Sequence, residues 1–250
     1  MDNSVAALSA LNSTSSALGN TISQLASGSR INNASDNPSG LAIATALETE
    51  TTQNEAVGQV GSAALAQLQT STSNLGTVQQ LLTQASSLVI QSAAPGANVS
   101  NLNDQYQQVL QSIDHTLQQG GFSGTATPIT TSPGTQVTIN RPNLSSSNLG
   151  LSASLTGGNT GAALNGIDQA MNQVNQVSGQ LAATQNLIQG DLASQQSATL
   201  NSQAALSAVA DSDIGAAVAR EAQNDTQRRA AMAAVATANK MARETLQLFK

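Results

Sequence analysis

From Leu8 the apolar positions recur as Leu8, Leu11, Leu18, Ile22 and Leu25, with Ser15 in the one missing place of a 3-4 alternation. This spacing predicts a heptad seam on a helix of about three heptads. The pattern stops at Gly28. Asp36 or Asn37 ahead of Pro38 then reads as an N-cap with proline in the first turn, opening a second helix. The alternation resumes at Ile43 and holds to Val89, about 50 residues and so roughly 75 Å of helix. Gly58, Gly61 and Gly76 inside it each cost about 1 kcal/mol in helix propensity, so this rod needs tertiary partners or close backbone contacts.

"APGANVSNLND" ends the rod, and a shorter helix follows with Leu102, Tyr106, Val109, Ile113 and Leu117 on one face. Residues 120–160 change character to Gly, Ser, Thr and Pro. Two short β-prone runs there, Ile129 to Thr131 and Gln136 to Ile139, flank a Ser-Pro-Gly turn and predict a hairpin. Helical spacing returns from Leu164 to Val209 as a second long rod. After "ADSDIG" comes a terminal helix with two adjacent seams, Met232, Val235, Asn239, Ala242, Leu246, Phe249 and Ala234, Ala238, Met241, Thr245, Leu248. A helix apolar on neighbouring faces has more than one packing partner, and other copies of the chain are the available material.

The ends therefore mirror each other: short heptad helix, joint and long rod, then the same in reverse. Burying each seam Leu or Ile is worth about 2 kcal/mol, whereas ordering each backbone residue costs about 1 to 2 kcal/mol. With five large apolar side chains in the first 25 residues, that sum is unfavourable in isolation. Both termini are expected to fold on association.

Composition supports long helices over a spherical core. Only 9% of the 250 residues are charged and three are aromatic, Tyr106, Phe122 and Phe249, so aliphatic seams must do the packing. The net charge of -6 argues against a nucleic-acid partner. Six of the eight cations nevertheless lie between Arg220 and Lys250. That cluster reads as a solvated helix face with i,i+4 pairs such as Lys240 with Glu244. No apolar run approaches the roughly 18 residues of a membrane span, and the N-terminus lacks the pattern of a cleaved signal.

Candidate chemistry is sparse. There is no cysteine, and His115 is the only histidine, which removes thiol catalysis and any H-E-x-x-H zinc site. No nucleophile elbow, dinucleotide fingerprint or phosphate loop occurs. Asp211 and Asp213 read as helix caps ahead of a weak cation site. The chain is expected to be no enzyme and to carry no cofactor or metal.

"LASGSRINNASDNPSGLAIA", Leu25 to Ala44, strongly resembles the joint of bacterial flagellins, whose pattern runs L-S-S-G-x-R-I-N-x-A-x-D-D-P/A-A-G-L-A-I-A. "SLVIQSA", "IDHTLQQGGFSG", "INRPNLSSSNLGLSA", "SAVADSDIGAAVAREA" and "ANKMARETLQLFK" are similar to further flagellin segments in the family's order. The resemblance implies a mainly α fold of long antiparallel coiled-coil rods with a small β-hairpin region. Residues 1–38 with 210–250 would form an inner coiled coil that orders on assembly, and 39–209 an outer rod domain, with no variable outer domains inserted. It also implies Gly28, Arg30, Ile31, Asn32, Asp36, Pro38, Gly40, Asp211 and Asp213 as joint residues. Leu8, Leu11, Leu18, Ile22, Leu25, Met232, Val235, Ala242, Leu246 and Phe249 would then be the assembly face of the inner helices.

On that resemblance the function is a subunit exported through the flagellar type III channel and polymerised into an extracellular filament. Its partners would be copies of itself, the export apparatus, an export chaperone on the C-terminal region, and hook-filament junction and cap proteins, with no membrane insertion. Ser86, Ser87 and Gln105 stand where the Arg and Glu read by the flagellin-sensing Toll-like receptor occur in many members, so weak recognition is expected. Two rivals are a hook-filament junction protein and, from a different class, a coiled-coil signalling or binding module.

Overall fold

The computed structural model describes residues 2–132, 134–151, 154–155 and 158–248, and of residues 2–4, 242 and 245–248 the helix path without side chains. Its elements are α1 (Asp2–Ser27), α2 (Pro38–Ser92), α3 (Val99–Gln119), β1 (Ser123–Ser132), β2 (Thr135–Asn143), α4 (Thr160–Ala210) and α5 (Ile214–Leu248). The fold is mainly α with a small antiparallel hairpin, as the periodicity predicts. Among the described residues no helix is long and apolar enough to cross a membrane.

Two compact units divide the chain, residues 1–51 with 200–250 and residues 52–199. The first therefore takes in the opening turns of α2 and the closing turns of α4. Backbone bonds between Gly28–Arg30 and Ala210–Ser212 draw those turns toward the chain ends.

In residues 52–199 the core is a three-helix arrangement under a hairpin. Leu75, Val78 and Leu82 of α2, Tyr106, Ile113 and Leu117 of α3, and Ile167, Val174, Leu181 and Ile188 of α4 are all buried in one cluster. Each set recurs every three or four residues, so each helix turns one apolar stripe inward. The many threonines of α2 do not break it, because hydroxyls such as those of Thr45, Thr70 and Thr83 donate to the carbonyl four residues earlier. Asn98 starts α3 by accepting from the backbone N–H of Asn101 at 3.2 Å. Carboxamides tie α2 to α4: Gln79 donates to Asn175 at 2.8 Å and Gln185 to Thr72 at 3.2 Å.

The hairpin is longer than the two predicted runs, with Thr125 opposite Arg141, Thr127 opposite Ile139 and Ile129 opposite Val137. Its inner face alternates as a half-buried sheet must, burying Ile129, Thr131, Ile139 and Arg141. The first six positions of β1 are exposed and carry no large apolar residue, which is why no alternation marks them in the sequence. Thr131 donates to the Asp191 carboxylate of α4, and Ser71 of α2 to the carbonyl of Gly120 at 2.8 Å, so the hairpin is anchored at both ends. Asp114 accepts from both the backbone N–H and the hydroxyl of Ser146, which folds the following loop over α3.

Candidate functional site: the joint and the paired terminal helices

α1 ends where Gly28 adopts φ 70°, a left-handed conformation that side chains disfavour. The chain then makes a short bridge, Ser29 opposite Asp211. The N–H of Arg30 donates to the carbonyl of Ala210 at 2.6 Å, and that of Ser212 to the carbonyl of Gly28 at 2.9 Å.

These contacts complete the end of α4. A helix leaves its last four carbonyls without intrahelical donors. Here the Ser207 carbonyl accepts from the N–H of Asp211 at 3.0 Å. The Ala208 and Val209 carbonyls accept from the Arg30 guanidinium at 3.3 and 2.5 Å. The Ala210 carbonyl takes Arg30 N–H and, at 3.1 Å, the Ser29 hydroxyl. A cation at a helix C-terminus also opposes the macrodipole, so Arg30 is both donor and counter-charge.

The two candidate caps at the head of α2 divide the work. Asn37 accepts from the N–H of Gly40 at 2.9 Å and from the Ser39 hydroxyl at 3.0 Å, with Pro38 at the first helical position. Asp36 instead accepts from the N–H groups of Asn32 and Asn33, both at 2.9 Å, and so fixes the turn before the cap. Ile31 is buried, and its Cδ1 lies 2.7 Å from where a Cβ on Gly40 would stand. On the other strand of the joint, Asp211 accepts from the Ser207 hydroxyl. Asp213 caps α5, accepting from the N–H of Ala216 at 3.0 Å.

α1 and α5 pack on each other, and the covered line of α1 runs through Ala7, Leu11, Thr14, Leu18, Thr21 and Leu25, with Gln24 beside it. Leu11, Leu18 and Leu25 belong to the predicted ladder. Leu8 and Ile22 lie one position off the covered line and stay 60% and 49% exposed. On α5 the covered line is Ala217, Glu221, Asn224, Arg228, Ala231, Val235 and Ala238. It takes Val235 from one predicted seam and Ala238 from the other, leaving Met232 and Met241 exposed. The side chains of Ala242 and Leu246, and all of Phe249, lie outside the described residues. Inside the pair, Asn224 donates to the buried Thr21 hydroxyl at 3.2 Å. Asp225 bridges Arg228 at 2.9 Å and Arg229 at 2.8 Å. The hydrogen bond from Arg228, reinforced by the charge of Arg229, holds the Asp225 carboxyl below the usual aspartate range.

Reading by residue type pointed to Gly28, to Asn37 or Asp36, and to Asp213, whereas Asp211, also read as a cap, instead accepts from the Ser207 hydroxyl. It missed Ser29, Ser207 and the carbonyls that Arg30 serves, because a backbone acceptor carries no residue-type signal. The arrangement is one of helix ends and exposed apolar side chains beside a covered seam.

Comparison with known proteins follows the same outline. The pattern of the bacterial flagellin N-terminal helical region matches residues 2–126, and that of the bacterial flagellin C-terminal helical region matches residues 164–249. A flagellin of Halalkalibacterium halodurans is 25% identical over 245 residues, covering 91% of this chain and 90% of its own. The crystal structure of Bacillus cereus flagellin is 17% identical with a TM-score of 0.48, covering 55% of this chain and 88% of its own. The two family regions lie on the two halves that meet at the joint, and together they take in most of the sequence: the chain belongs to the bacterial flagellin family.

Proposed function

We propose that the chain is a structural subunit that polymerises with copies of itself into the extracellular flagellar filament. The observation that carries this reading is the pair of terminal helices. Their mutual seam covers one line of each, while Val5, Leu8 and Ile22 on α1 and Met232 on α5 face water. Exposed apolar stripes flanking a covered seam are surfaces that call for further helices. On this reading residues 1–38 with 210–250 form the inner domain and order on assembly, and residues 39–209 form the outer domain. The joint residues set the direction in which the chain leaves the inner pair. Export precedes assembly, with a chaperone on the C-terminal region and junction and cap proteins at the filament ends. Ser87 and Gln105 are exposed and neutral, which supports weak recognition by the flagellin-sensing receptor. Negative-stain microscopy of purified subunit after seeding tests the function. Long tubes of uniform diameter are expected; persistent small oligomers would favour a coiled-coil module instead.

A further inference from the structure

The paired terminal helices have two unlike flanks. They run antiparallel, since Thr21 near the end of α1 is bonded to Asn224 near the start of α5. Along one side of their seam lies an open trough of about 680 Å³, walled by Ala10, Ser13 and Ala17 of α1 and by Gln227, Ala230 and Ala234 of α5. Every residue lining it is uncharged. Leu8 stands about half a turn around α1 from Ala17, and Met232 about half a turn around α5 from Ala230 and Ala234. The flank on the other side of the seam therefore carries the large apolar side chains, Val5 and Leu8 of α1 and Met232 of α5, all of them exposed.

The two halves of that bulky flank differ in charge. From Asn3 to Ser29 the chain has no charged residue, so the α1 half is as neutral as the trough. On the α5 half, exposed Arg243 follows Met232 by about three turns on the same face, and burying that half would strip water from a cation. Contact between like flanks would close a dimer and stop, whereas contact between unlike flanks leaves each added copy with a free flank and continues. We infer that the α1 flank bearing Val5 and Leu8 seats in the alanine trough of a second copy of this chain. Large side chains then stand opposite small ones, as close packing of helices requires. The inference rests on the polymerisation reading above and names the two surfaces that meet.

Three variants of the full chain test it, Leu8→Ala, Ala17→Leu and the two combined, each compared with the parent for melting temperature and for the critical concentration of seeded polymerisation. Both positions are exposed in the subunit, so the melting temperature stays at the parent's value. Leu8→Ala empties the trough and Ala17→Leu fills it, and each raises the critical concentration about tenfold. The double variant moves the bulk from the inserted helix to the trough wall, so its rise falls well short of the product of the two single rises. If Ala17→Leu polymerises at the parent's critical concentration, the trough holds solvent alone and the inference is overturned. A double variant whose rise equals that product overturns it as well, because Leu8 and the trough then meet different neighbours. A parent that forms no polymer overturns the polymerisation reading itself, and this contact with it.

Discussion

The guanidinium of Arg30 donates to the carbonyl of Val209 at 2.5 Å, joining residues 179 positions apart in the chain. One side chain from the beginning of the protein thus finishes a helix near its end. The flanking bonds of Ser29 and Ser212 make the closure reciprocal, since Gly28 at the end of α1 is in turn served by Ser212. Neither side of the joint is complete without the other, which gives a subunit built from its two termini a fixed point.

Arg30→Ala removes the donors to Ala208 and Val209. Arg30 is exposed, so water replaces part of what is lost and the cost is about 1 kcal/mol. Arg30→Lys keeps the charge at the helix end but loses the fork, and falls between. Amide exchange reports it locally: the N–H of Ser212, bonded to Gly28, exchanges faster in Arg30→Ala than in the parent. Unchanged protection there would mean the backbone bridge holds without the guanidinium.

Glycine substitutions in the two rods have opposite signs. Gly76 of α2 has nothing within 4 Å of a Cβ position. Gly76→Ala therefore adds helix propensity alone, about 1 kcal/mol of stability. Gly166 of α4 faces the carbonyl oxygen of Gly150, 2.5 Å from where a Cβ would be. That oxygen belongs to a backbone turn with Gly150 at φ 75°, so it cannot swing aside as a side chain would. Overpacking against an immovable carbonyl costs up to about 3 kcal/mol and outweighs the propensity gain of about 1 kcal/mol, so Gly166→Ala is destabilised by up to about 2 kcal/mol. Urea midpoints of the two variants should lie on either side of the parent's.

These glycines also mark how far the sequence could be read. A glycine inside a helical pattern announces either a close approach or nothing. Gly61 proves to be the former against Leu192, and Gly58 and Gly76 the latter. The elements themselves were legible because their apolar residues repeat every three or four positions, as were Gly28 and the cap before Pro38. The line of contact between α1 and α5 was not. Leu8 and Ile22 complete a heptad ladder by residue type, yet the covered line runs through Ala7, Thr14 and Thr21, small residues with little signal. Periodicity shows that a helix has an apolar side without saying which part of a wide stripe meets which partner. The first half of β1 was hidden for a related reason, being exposed on both faces and held by its partner strand alone.

Tyr106 lies fully buried on α3, with no acceptor for its hydroxyl among the described residues. Burial pushes its phenol above the ordinary tyrosine value. A group whose folded-state pKa is raised contributes stability that is complete below the unfolded value, about pH 10, and lost as pH rises past it. Tyr106→Phe removes both the orphaned hydroxyl and the titration. The variant is expected to gain about 1 kcal/mol at neutral pH and to lose less stability than the parent between about pH 10 and 12. Urea unfolding at pH 7 and pH 11 checks it; a less stable variant at pH 7 would show that the hydroxyl has an acceptor after all.

Asp225 sets the acid side. Its carboxyl is held below the usual range, first by the hydrogen bond from Arg228 and then by the charge of Arg229. A depressed pKa gives stability that is present above the unfolded value, near pH 4, and lost only as pH falls through the folded one. Nothing in this cluster therefore weakens α5 between pH 7 and 5. The pair is also held by the neutral Thr21–Asn224 bond and by the apolar side chains of Leu11, Leu18, Leu25 and Val235, none of which titrates. Polymer followed by light scattering is thus expected to persist from pH 7 to 5 and to weaken below about pH 4. In Asp225→Asn the carboxylate contribution is absent at every pH, so this variant starts weaker and changes less on acidification. A sharp depolymerisation of the parent between neutral and mildly acidic pH would place the controlling charge elsewhere in the copy-to-copy contacts.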